Sequence, residues 1–132
     1  MKTFYTYTQI ASRFLYYLLW VTLSRPVKQS GYVAHKQAHI YYRLYGEGDP
    51  VVLLHGGLSN RLSWFAQIPF LSRCGRQVLV IDTRGHGKSS FGDQNLSYHL
   101  FAEDVLVVLD HLHIERCDII GWSDGGISAL VL

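Results

Sequence analysis

The chain has 132 residues, 48% of them hydrophobic, and 12 Lys plus Arg against 10 Asp plus Glu for a net charge of +2. That apolar share supports a packed core and excludes wholesale disorder, and the length fits one domain rather than two. The small, scattered positive excess excludes nucleic acid as a partner, and two cysteines with no CxxC spacing exclude a disulfide framework or thiol-ligated zinc.

Residues 1–24 form a segment of their own. Lys2 and Arg13 precede an uncharged run, Phe14 to Leu23, of ten residues. A bilayer core needs about 20 apolar residues, so the run is too short to cross alone. It reads as a signal peptide or a short membrane anchor, with membrane association through residues 4–23. The alternative is an amphipathic helix covering the domain that follows. Export or membrane association is therefore expected over a cytoplasmic location.

Residues 25–132 form the domain. Tyr32–His35 and Ile40–Tyr45 are rich in β-branched and aromatic residues and predict an antiparallel pair. Gly46 to Pro50 is a turn cluster. Val51–Leu54 and Val78–Ile81 are short apolar runs, expected as strands buried on both faces. Between them, Trp64–Arg73 has helical spacing interrupted by Pro69. Ser97 to His113 predicts a helix with Phe101, Val105, Val108, Leu109 and Leu112 on one face and Ser97 as cap. Asp118–Gly121 is a third apolar run, and Gly125–Leu132 reads as helix. Strands alternating with helices predict an α/β fold whose sheet is mostly parallel, with helices on both faces.

Gly121-Trp122-Ser123-Asp124-Gly125 is a G-x-S-x-G between a strand and a helix, the setting of a nucleophile elbow. A serine on such a turn stands above the sheet edge, and glycines two before and two after clear the neighbouring backbone. Ser123 is the candidate nucleophile. Acyl transfer also needs two backbone N–H donors for the tetrahedral oxygen. Asp124, after the nucleophile, is one candidate. Gly57, in His55-Gly56-Gly57 after the first buried strand, is the other, with Leu58 in reserve. Leu58 and Trp122 are candidate substrate-pocket residues, Trp122 equally a core residue. His55 reads as a loop-ordering residue, with proton transfer as the alternative. Asp82 to Ser89 ends in GKS after a strand, yet a phosphate-binding loop needs glycine where Asp82 stands. This loop is expected to be structural, tied by Asp82, Arg84 and its glycines. Asp110, His111 and His113 are expected to be solvated residues at a helix end rather than metal ligands, and Cys74 and Cys117 to be buried thiols.

Three segments, VVLLHGG, VLVIDTRGHGKSS and IIGWSDGG, resemble the α/β-hydrolase fold superfamily in order and spacing. GWSDGG is similar to the biphenyl hydrolase-like (valacyclovir hydrolase) group and related serine ester and lactone hydrolases. The resemblance covers residues 31–132. It implies Ser123 as nucleophile, Gly57 and Asp124 N–H groups as oxyanion hole, a small-molecule ester or lactone as substrate, and no metal or cofactor. In that family an Asp or Glu and then a His follow the serine. After Ser123 stand DGGISALVL, with no His and with Asp124 as the one acid. The chain is accordingly expected to be the N-terminal part of a longer hydrolase. A catalytically inactive fragment with a binding or scaffolding role is the alternative.

Overall fold

A computed structural model describes residues 12–16 and 26–132 of the chain. Residues 12–16 are helical and exposed. The rest of the expected N-terminal leader or anchor lies outside the described residues. No helix among them is long and apolar enough to cross a membrane.

Among the described residues, five strands form one mixed sheet: β1 (Val27–His35), β2 (Ala38–Tyr45), β3 (Asp49–Leu54), β4 (Arg76–Ile81) and β5 (Asp118–Gly121), in spatial order β1-β2-β4-β3-β5. β3, β4 and β5 are parallel, as their apolar runs predict. β2 runs antiparallel to both β1 and β4. The expected antiparallel pair is present but longer. β1 starts at Val27 because its ladder continues to Val27↔Tyr45, past an irregularity between Val27 and Gln29. The hairpin turns at Lys36 and Gln37, whose φ angles of 43° and 59° are both positive. Such two-residue turns match the twist of the paired strands, and this one falls in the gap between the two expected strands, though without the Asn-Gly such turns favour.

Alternation along β3 and β4 sorts their side chains onto two faces. Val52, Leu54, Leu79 and Ile81 face α2 (Tyr98–His111), whose Val105, Val108 and Leu109 complete the larger core. Val51, Leu53, Val78 and Val80 pack with Trp64 and Ile68 on the other face. Ile68 lies in α1 (Gln67–Arg73), and α3 (Asp124–Val131) follows β5. The expected Trp64–Arg73 helix is split: Arg61–Trp64 is a 3-10 turn and α1 begins at Gln67. Pro69 then falls in the first helical turn, where a missing N–H costs no hydrogen bond. Ser97 caps α2, its Oγ accepting from the Leu100 N–H at 3.1 Å. Both cysteines are free, but Cys74 is exposed at the end of α1 and Cys117 is half-buried. The expectation of a buried Cys74 is thus corrected: the helix ends there in solvent.

Register places the site. Leu54 pairs with Ile81 of β4 and with Gly121 of β5, so the three parallel strands end level. The loops beginning at His55, Asp82 and Trp122 therefore leave the same sheet edge, where α/β folds bind ligands.

Candidate active site

The β5–α3 turn carries Ser123 with φ 52° and ψ −125°. A side-chain-bearing residue is rare and strained there. The neighbouring glycines permit it. A Cβ on Gly125 would overlap the Leu54 carbonyl of β3 and come within 2.6 Å of the His55 oxygen. A Cβ on Gly121 would overlap the Gly125 carbonyl. Gly126 differs, since a Cβ there stays 3.4 Å from the Gly121 oxygen, an ordinary contact. Ser123 is exposed, and among the described residues its hydroxyl forms no hydrogen bond.

The amide of Asp124 begins α3, where helix N–H groups lack intrahelical acceptors and the helix dipole favours negative charge. Neither the Asp124 N–H nor the Gly57 N–H donates to another described group. The two residues adjoin: the Asp124 Oδ2 carboxylate oxygen occupies the space a Gly57 Cβ would take. The reserve donor, Leu58, is already engaged, its N–H donating to His86 Nε2 at 3.2 Å. The Leu58 side chain stands wholly in solvent and its φ is 56°. Trp122 is about half-exposed, with its ring against Gly56.

His55 orders the loop, as its position suggested. It is 1% exposed. Its Nδ1 donates to the Gly56 carbonyl at 2.8 Å and its Nε2 accepts from the Thr83 N–H at 3.0 Å. Both ring nitrogens are used, and burial pushes the ring's pKa below its ordinary value, against the raising effect of the Gly56 bond. Such a ring stays neutral and has no free nitrogen for Ser123.

Asp82 explains why the GKS loop is structural. It is fully buried, and its carboxylate accepts from the Arg61 N–H at 2.7 Å, from Arg61 Nη1 at 2.6 Å and from the Lys88 N–H at 2.9 Å. A carboxylate thus takes the loop amide that a phosphate would need. Arg84 is also fully buried, paired through Nη2 with Asp104 of α2 at 2.7 Å and donating to the His35 carbonyl at 2.9 Å. Loop, hairpin and helix are tied together there.

Sequence reasoning missed an open cleft that reaches Asp124, the residue after Ser123. It holds about 320 Å³ and is lined by His86, Leu96, Ser97, Tyr98, Phe101 and Asp124. Tyr98 donates to Asp124 Oδ1 at 2.9 Å, and that carboxylate raises the pKa of the Tyr98 hydroxyl. These residues lie 26 positions apart, so no local motif announces the pair. No group of three or more His, Cys, Asp and Glu residues converges among the described residues.

The motif order and the elbow point to one family. The family model of the alpha/beta hydrolase fold matches residues 49–132. The chain belongs to the α/β-hydrolase family. Among the chain's relatives, the putative non-heme chloroperoxidase of Synechocystis is 36% identical over 86 residues, covering 65% of this chain and 31% of that protein. The serine hydrolase BPHL of Mus musculus is 31% identical over 107 residues, covering 77% and 37%. Of solved structures, Est816, described as an N-acyl homoserine lactone degrading enzyme, superposes with a TM-score of 0.72 at 39% identity, covering 77% and 39%. The enol-lactonase of Burkholderia xenovorans gives 0.73 at 31% identity, covering 77% and 40%. The chain spans about a third of the length of the curated relatives it matches.

Proposed function

We propose that this hydrolase domain cleaves a carboxylic ester, a lactone or a similar carbonyl substrate through an acyl-enzyme, with Ser123 as nucleophile. The observation that carries the reading is the strained Ser123 backbone, φ 52° and ψ −125°, between glycines that only that turn requires. Natural chains hold such strain chiefly at functional sites. A relative named as a serine hydrolase and two structures described as lactone-cleaving enzymes support the substrate class.

In this reading Ser123 Oγ attacks the carbonyl carbon and passes its proton to a general base. The N–H groups of Gly57 and Asp124 donate to the resulting oxyanion. Collapse expels the alcohol, which takes the proton back from the base, and leaves an acyl ester on Ser123. Water then attacks that ester by the same route and frees the acid. None of the seven histidines of the chain hydrogen-bonds Ser123. The proposal therefore includes a histidine and its orienting acid from the part of the relatives' length that this chain does not span. The test is hydrolysis of p-nitrophenyl butyrate by a protein carrying the whole family domain. Ser123→Ala is expected to reduce turnover to background, and retained turnover would refute the assignment.

The Ser123 hydroxyl, without a hydrogen-bond partner among the described residues, favours a second reading for the 132 residues alone, a catalytically silent fold with a binding role. Ester hydrolysis by those 132 residues that is lost in Ser123→Ala would refute it.

A further inference from the structure

We propose that His86 is a positioning residue, whose neutral ring clamps the Gly57–Leu58 peptide and so aims the Gly57 N–H at the oxyanion. The proposal rests on the acyl-transfer reading above and adds a residue to it.

The loop tip has little else to hold it. Leu58 is fully exposed with a positive φ, so no packing of its side chain fixes the backbone. Upstream, the loop is anchored at Gly56 by His55; downstream, it is anchored at Asn60, whose side chain accepts from the Leu62 N–H. Between these anchors, the 3.2 Å bond from Leu58 N–H to His86 Nε2 is the one hydrogen bond tying residues 57–59 to another segment among the described residues.

The ring's proton arrangement follows from its partners. Nδ1 lies 2.9 Å from the Arg84 carbonyl, which can only accept, so Nδ1 carries the proton. Nε2 then presents a lone pair to the Leu58 N–H, which can only donate. An imidazolium would set two N–H groups against each other and release the loop. The main chain behind the ring is fixed in turn by the buried Arg84–Asp104 pair. A chain of rigid contacts thus runs from α2 through Arg84 and His86 to the peptide beside Gly57.

The variants are His86→Ala, His86→Gln and His86→Asn in the protein carrying the whole family domain. A Gln Oε1 reaches about as far as Nε2 and accepts; an Asn Oδ1 falls short. Losing one oxyanion donor outright costs about 10²–10³ in kcat. A donor left in place but unaimed is expected to cost His86→Ala about 10–100-fold in kcat, with KM within about 3-fold. His86→Gln should recover most of that loss and His86→Asn little. Hydrogen exchange at the Leu58 amide should quicken in His86→Ala and His86→Asn but not in His86→Gln. Unchanged kcat and unchanged Leu58 exchange in His86→Ala would overturn the clamp, as would a Gln variant as impaired as Ala. The exchange measurement needs no turnover. If Ser123→Ala left activity intact, the acyl-transfer reading would fall while exchange still judged the clamp.

Discussion

Replacing Ser123 with glycine should make the protein more stable while removing its proposed nucleophile. Ser123 sits at φ 52°, ψ −125°, a conformation that costs a side-chain-bearing residue about 1–3 kcal/mol. Glycine adopts it without that strain but loses more backbone freedom on folding, about 0.5–1 kcal/mol. Little else changes, because the serine is exposed and its hydroxyl caps nothing. The difference is a net gain of about 0.5–2 kcal/mol. For a domain near 100 residues, that gain raises Tm by roughly 2–10 °C. The control is Ser123→Ala, which keeps the Cβ and hence the strain, and should stay within about 0.5 kcal/mol of the parent. Thermal melts and urea titrations of the three proteins, run side by side, decide the matter. A Ser123→Gly variant no more stable than Ser123→Ala would mean that the elbow holds no strain, and the argument for Ser123 would lose its main support.

Further outcomes follow from the same geometry. Gly125→Ala forces a Cβ into the Leu54 carbonyl and should cost about 1–3 kcal/mol in urea unfolding, whereas Gly126→Ala, with ordinary contacts, should cost under about 1 kcal/mol. Arg84→Met leaves Asp104 buried without its guanidinium and should cost about 3–5 kcal/mol by the same measurement. The pKa of His55 is lowered in the folded state, so the unfolded chain binds a proton that the folded one refuses. Its contribution is therefore complete above the unfolded value near 6.5 and is lost as pH falls below it. Urea midpoints taken from pH 7.5 down to 5.5 should fall, and His55→Gln should flatten that dependence.

The sequence by itself determined the buried strands, the start of α2 and the steric need for particular glycines. Apolar runs of four residues named β3, β4 and the centre of the sheet, because a strand buried on both faces needs no polar alternation. Ser97 announced the start of α2, since a cap is a local hydrogen bond. The two elbow glycines were legible because their requirement is steric and falls within five residues. Asp82 was enough to exclude a phosphate loop.

Tertiary structure decided everything that depends on distant partners. Strand order β1-β2-β4-β3-β5 and the level ends of β3, β4 and β5 bring three loops to one edge, and no window of sequence contains that register. The Leu58 amide is occupied by His86, 28 residues away, a contact that no local motif announces. The cleft and the Tyr98–Asp124 pair arise where α2 and α3 meet. Local rules act over a few residues of backbone; a site is assembled by packing, which joins residues that the chain keeps apart.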